Sequence, residues 1–386
     1  MDVRGKVLVL FTNEPTSTDP KFFEGRALTY YVRWTYKYEE ALRRGAVAAV
    51  IIHTTPTAGY GWDVVRSSWG REDLQVQLAP GEKALAFASW VSQDAGEKLL
   101  ALAGKRVDEL LAASEKRDFR PIPLGLRIRG HIPSKVRAIE TRNVAAIVPG
   151  SDPKLKDEVV IYSAHWDHLG KGDPVDGDAI YNGAIDNATG CGILLELARA
   201  WAARPQKPRR SALFLAVTAE EGGLRGSEFY ATHPLFPPAK TAIDLNYDAI
   251  YPWGRAKDIV IDGAQRTNIW PMAQSIARRL ELTISPDSEP EQGHYFRSDH
   301  FSFAHVGIPA FSVDHATQFA GKPADFYQKS WEEFNEKHYH QPSDEFHADW
   351  DFTALQQAAE FGLLLGTDLA NQDRLPDWKA GDQFHR

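Results

Sequence analysis

Short apolar runs alternate with amphipathic stretches along most of the chain. Residues 6–11 (KVLVLF), 46–52 (AVAAVII) and 84–90 (ALAFASW) have strand character. Lys37 to Arg44 reads as helix, stopped by Gly45, and 92–113 reads as a longer helix. Residues 114–125, SEKRDFRPIPLG, break the pattern with charges and two prolines, so a linker and a domain boundary are expected at about 120–130. Beyond it, 158–163 (EVVIYS), 211–218 (SALFLAVT), 241–247 (TAIDLNY), 258–262 (DIVID) and 308–313 (IPAFSV) are predicted strands. Helices are predicted over 186–204, about 223–231, 267–281 and 352–371, the first from the spacing of Ile193, Leu194, Leu197 and Trp201. Continuous apolar strands alternating with helices imply an α/β fold, a mixed, mostly parallel sheet sandwiched by helices.

Composition narrows the class. The 386 residues are 43% hydrophobic and 25% charged, which is globular. The net charge of −8 argues against nucleic acid as a partner. No apolar run reaches the ~18 residues that span a bilayer. Cys191 is the single cysteine, so no intramolecular disulfide and no Cys-x-x-Cys metal site can form. The motifs G-x-x-x-x-G-K-[ST], G-x-S-x-G and H-E-x-x-H are missing. The sequon Asn187-Ala188-Thr189 falls in a stretch expected to be buried, so it is expected to stay unmodified.

In sheets of this kind ligands bind beyond the carboxyl ends of the strands. Strand 158–163 runs into Ala164-His165-Trp166-Asp167-His168, strand 211–218 into Ala219-Glu220-Glu221-Gly222-Gly223, and strand 241–247 into Asp248. Asn182-Gly183-Ala184-Ile185-Asp186-Asn187 precedes a helix, with Asp186 near its cap. Alone, each reads blandly: a helix cap, a structural histidine, a solvated acidic loop. Together they bring imidazoles and carboxylates to one sheet edge, where the acids would repel one another and resist desolvation. Divalent cations remove that cost. Histidine plus carboxylate without thiolate suits zinc, and also manganese or cobalt. In His165-x-Asp167, alternate residues of an extended chain share a face, so Asp167 is expected to accept from the distal N–H of His165. In Glu220-Glu221 the side chains diverge, so one can bind metal while the other takes a proton from water.

The ordered set YSAHWDHLG, YNGAIDNATG, TAEEGG, NYD and YHQPSDEF resembles the co-catalytic dizinc exopeptidases, which include leucyl aminopeptidases, glutamate carboxypeptidase II and glutaminyl cyclases. The resemblance implies the zinc exopeptidase fold over 123–386 and two zinc ions per chain. It implies His165 and Asp248 as ligands of one ion, Glu221 and His340 as ligands of the other, and Asp186 as the bridge. Glu220 becomes the general acid/base and Asp167 the partner of His165. The H-[TQ]-P-x-D pattern selects His340 over His338 and His347, with Asp344 behind it. VRGKVLVLF followed by EEALRRGAVAAVIIHT resembles a protease-associated domain over 1–122, a smaller α/β unit without chemistry of its own. Relatives carry a segment ahead of that domain, generally with an export leader, so an upstream continuation and an extracytoplasmic location are expected.

The expected activity is removal of N-terminal residues from peptide substrates. Rival readings are a carboxypeptidase or dipeptidase, with Arg225, Arg255 or Arg297 as the carboxylate clamp, a glutaminyl cyclase, and a receptor-like binding protein. Asp299 and His300 read either as ligand-positioning groups or as a cap for helix 299–306. Tyr251, Trp253, Tyr295 and Phe296 read as core or pocket lining, and Cys191 as packing. The oligomeric state stays open.

Overall fold

The computed structural model describes residues 2–385 except 13, 16, 20, 26, 59–60, 63–64, 67–69, 71 and 73. The chain divides into two compact units, residues 1–138 with 289–296, and residues 139–288 with 297–386.

The first unit is built on a three-stranded parallel sheet of order β1 (Val7–Phe11), β2 (Ala48–Ile52), β3 (Phe87–Val91). The central strand, AAVII, is buried throughout because both its neighbours and its faces are covered. Helix α1 (Trp34–Arg43) leads into β2, and Ala41, Ala46 and Ala49 form one small core with Leu8 and Leu10. On the other side, Ile52 packs with Leu100 and Val107. The expected helix 92–113 is two helices, α2 (Gln93–Ala101) and α3 (Val107–Ser114). Gly104, at φ +66, turns the chain in the left-handed region between them, a conformation that ends a helix. The stretch 120–143 forms no helix or strand.

The second unit carries a five-stranded sheet of order β12-β9-β5-β8-β4. Strands β5 (Val159–His165), β8 (Ser211–Val217), β9 (Thr241–Asn246) and β12 (Ala310–Ser312) run parallel. Edge strand β4 (Val144–Val148) pairs antiparallel with β8. Two small additions flank the sheet in sequence: a hairpin of β6 (Gly170–Val175) and β7 (Asp178–Tyr181), and a parallel pair of β10 (Asp258–Val260) and β11 (Thr283–Ser285). Helices α4 (Thr189–Ala203) and α9 (Thr353–Asn371) pack on each other and on β5. Tyr162 fills that face: its ring stacks on Phe214, its hydroxyl donates to the Gly362 carbonyl at 3.0 Å, and Trp201 Nε1 donates to it at 3.1 Å. Gly362 and Gly366 let α9 approach, since a Cβ on either would strike the Tyr247 or Tyr162 hydroxyl. Helices α5 (Arg225–Thr232) and α7 (His300–His305) pack together, α7 also against β9 and β12. The remaining helices are α6 (Trp270–Arg279) and α8 (Phe326–Lys337).

The architecture is thus the expected mostly parallel α/β sandwich. Strands β4, β6, β7 and β11 and helix α8 are additions that apolar periodicity did not reveal.

Candidate metal centre

The parallel strands end at one edge of the sheet, and the candidate residues follow. His165 is the last residue of β5, Glu220 and Glu221 follow β8, and Asp248 follows β9. Asp186 arrives from the irregular stretch before α4. It does not cap that helix: α4 begins only at Thr189, with Ala188 at the cap position. Two acceptors hold the stretch instead. Asp344, itself buried, accepts from the backbone N–H groups of Ile185 (2.9 Å) and Asp186 (3.1 Å). Asn187 donates to the Tyr247 carbonyl at 2.9 Å and accepts from Gly190 N (3.0 Å) and Ala249 N (3.2 Å), tying the Asp186 stretch to the Asp248 turn. A Cβ at Gly190 would strike both Asn187 Oδ1 and the Tyr247 carbonyl, so only glycine fits there. Ala219, Ala249 and His340 have positive φ (54, 51 and 57), a costly conformation for residues with a Cβ, and each lies at or beside a candidate site residue.

The five candidate ligands converge. His165 Nδ1 donates to the Asp167 backbone carbonyl at 3.1 Å, which leaves the Nε2 lone pair free. That Nε2 stands 3.2 Å from Asp186 Oδ1 and 3.1 Å from Asp248 Oδ1. The other Asp186 oxygen, Oδ2, stands 3.4 Å from His340 Nε2, which lies 3.1 Å from Glu221 Oε2. Asp186 therefore presents one oxygen to each of two donor groups. The groups His165, Asp186, Asp248 and His168, Asp186, Glu221 each have ligand atoms within 4.8 Å of one another.

Two details differ from expectation. The Asp167 carboxylate is 4.0 Å from His165 Nδ1, too far for a hydrogen bond; it accepts from Glu220 N at 3.1 Å. Strand β5 ends at His165, so the alternation that would put both side chains on one face stops there. Sequence reasoning also gave no role to His168, whose Nδ1 is 2.7 Å from Glu221 Oε1. Both side chains are largely buried. The His165-x-x-His168 spacing was its only signal.

The charges of the cluster are poorly matched without a cation. Burial pulls His340 down, yet Asp186 and Glu221 outweigh it and hold it up to about 10. Burial raises Asp186, yet His165 and His340 outweigh it and lower the carboxyl below the usual range. Burial pushes Glu220 well above that range, with Glu221, Asp248 and Asp299 adding to it against His165. A hard or borderline divalent ion fits the donor set of imidazole nitrogens and carboxylate oxygens, to which His168 and Glu221 both belong.

The other candidates are not among the five ligands. His338 contacts Ser343 and His347 lies against Trp350, both away from the five ligands. Tyr251 is buried with Ile185 and Phe334, and Trp253 packs on the same core. Tyr295 and Phe296 are buried in the first unit. Arg225 pairs with Glu228 at 3.0 Å, Arg255 stands 3.8 Å from Glu281, and Arg297 is exposed. Asp299 makes no side-chain cap to α7 and is buried. His300 is buried at the start of α7. The Cys191 thiol donates to the His165 carbonyl at 3.1 Å. A groove of about 800 Å³ runs between α4 and α9, and none of the five ligands lines it.

Comparison with known proteins gives the following. The sequence profile of Peptidase family M28 matches residues 143–364. Aminopeptidase YwaD of Bacillus subtilis (strain 168) is 25% identical over 252 residues, covering 63% of this chain and 48% of that protein. A probable zinc metalloprotease of Pyricularia oryzae is 31% identical over 161 residues, covering 42% of this chain and 28% of that protein. The chain thus spans about half or less of the length of these curated relatives. Among solved structures, the aminopeptidase from Aneurinibacillus sp. strain AM-1 is 21% identical with a TM-score of 0.47, covering 99% of this chain and 73% of that one. A glutaminyl cyclase from an Acidobacteriales bacterium is 17% identical with a TM-score of 0.41, covering 60% of this chain and 74% of that one.

Proposed function

The chain belongs to peptidase family M28, and from that premise we propose that it is a dizinc aminopeptidase that removes N-terminal residues from peptides. The observation that carries the reading is Asp186, whose two oxygens face His165 on one side and His340 on the other. His165 and Asp248 would hold one ion, Glu221 and His340 the other, and Asp186 both. When bound, the ions supply Lewis acidity, which polarises a scissile carbonyl and acidifies water.

The remaining work falls to side chains. Glu220 neighbours Glu221 in sequence, and its side chain would serve proton transfer while Glu221 holds metal. It would accept a proton from the attacking water and return it to the leaving amine. Asp344 and Asn187 fix the backbone on which Asp186 rides, so the shared ligand is held before substrate arrives. The matches to an aminopeptidase and to a probable zinc metalloprotease support this reading. The N-terminal reading as a protease-associated domain rests on its sequence motifs and on the small parallel sheet of the first unit.

The test is a panel of aminoacyl-4-nitroanilides with N-acetyl controls, run with chelator and after zinc is restored. Zinc-dependent release from free-amino substrates alone is expected. Cleavage of N-blocked dipeptides would favour a carboxypeptidase, and pyroglutamate formation from an N-terminal glutamine peptide would favour a cyclase. No turnover of any of them after zinc addition would overturn the enzymatic reading.

A further inference from the structure

Asp248 is held from behind by a run of buried polar groups. Its Oδ2 accepts from the Ser298 hydroxyl at 2.6 Å, and Asn246 Nδ2 donates to Ser298 Oγ at 2.7 Å. Ser163 Oγ lies 3.1 Å from Asn246 Oδ1 and 2.8 Å from Asp244 Oδ1. Asp244, Asn246 and Ser163 are fully buried. Asp244 and Asn246 are alternate residues of β9, and Ser163 sits opposite Asn246 on β5, so all three side chains line one face of the sheet.

The direction of these bonds follows from counting protons. A serine hydroxyl has one proton to give. If Asp248 is an ionised ligand, Ser298 must donate to it; the opposite arrangement would set two oxygen lone pairs 2.6 Å apart. With its proton committed, Ser298 accepts from the amide NH₂ of Asn246. That fixes Asn246 Oδ1 toward Ser163, which must donate to it. Ser163 then has only a lone pair left for Asp244 Oδ1, so the Asp244 oxygen has to bring the proton.

We infer that Asp244 is a neutral carboxylic acid heading a one-way chain of donors, Asp244 to Ser163 to Asn246 to Ser298, that positions the Asp248 carboxylate. The inference rests on the reading of Asp248 as a metal ligand. The surroundings agree with it. Asp244 Oδ2 has no hydrogen-bond partner, and a bare buried carboxylate oxygen costs more than a bare acid carbonyl. Burial pushes the Asp244 carboxyl well above the usual range, Ser163 opposes this and Asp299 adds to it. Among the described residues Asp299 acts on it, and Asp244 in turn raises Tyr230 and Tyr247; all three are acids. Because every donor points toward Asp248, the chain fixes the carboxylate's rotation and leaves Oδ1 facing His165 Nε2.

The test uses the full chain and three variants. Asp244→Asn replaces the acid O–H with an amide N–H, so the donor direction survives. Ser163→Ala and Asn246→Asp interrupt it. Difference infrared spectra should show a carboxylic-acid carbonyl band at neutral pH that is absent from Asp244→Asn. Competition with a chromophoric chelator should show zinc held by Asp244→Asn within about twofold of wild type, and by the other two roughly 10–100-fold more weakly, with near-ultraviolet circular dichroism unchanged in all three. The inference is overturned by a wild type without that band, or by Asp244→Asn losing zinc as Ser163→Ala does. A wild type that binds zinc but cleaves no peptide would remove the proposed activity alone, since both readouts are independent of turnover.

Discussion

Glu220 and Asp344 show how differently two acids at one site can act. Glu220 is assigned proton transfer rather than metal binding, so changing it should spare the metal. Glu220→Gln is expected to retain zinc by elemental analysis while kcat/KM on an aminoacyl-4-nitroanilide falls by roughly 10²–10⁴. Asp344 never enters the ligand group but accepts from two buried N–H groups. Asp344→Ala strands both, at about 1–3 kcal/mol for each group left unsatisfied. Urea titration should show the lost stability, and zinc affinity should fall with it because Asp186 is no longer held. At this scale the gathering of His165, Glu221 and Asp248 at one sheet edge was legible from the strands they follow, whereas Asp186 and His340 were singled out by motif resemblance. His168 and the Asp167 geometry were not legible. Both depend on how the chain turns after β5, where periodicity ends.

Helices and strands were read well where burial imposed a pattern and poorly where it did not. Strands β5, β8 and β9 are almost wholly buried and read as unbroken apolar runs. Strand β4 is largely exposed and follows a long stretch without regular structure, and the β6–β7 hairpin is mostly polar, so neither stood out. The close approach of α4 to the Asp248 turn gives a direct test. Gly190→Ala places a Cβ against Asn187 Oδ1 and the Tyr247 carbonyl. Overpacking of this kind costs about 1–3 kcal/mol, so the thermal midpoint should drop, whereas Gly192→Ala on the same helix, with open space around it, should leave it unchanged or raised.

For the whole molecule, the two units should respond differently to pH. In the first unit, burial pushes Glu14 up to about 7, against the lowering effect of Thr29, whose backbone N–H donates to it at 2.8 Å. A carboxyl raised in the folded state contributes stability that is complete below its unfolded pKa of about 4.3 and lost as pH rises through the folded value. Amide exchange in β2, corrected for the intrinsic rate, should therefore report weakening protection from about pH 5 to 7, and Glu14→Gln should flatten that dependence. Apolar periodicity marked the buried strands of both units and most of their helices. It did not reveal that 289–296 belongs with the first unit, because periodicity carries no record of contacts between remote segments.

The measurement that bears most directly on the paired-ion site is a zinc titration of chelator-stripped protein, read by elemental analysis after desalting. Wild type should saturate at two ions per chain, His165→Ala and His340→Ala at one each, and Asp186→Ala below either. Saturation of the wild type at one ion, or two ions retained by His340→Ala, would contradict it.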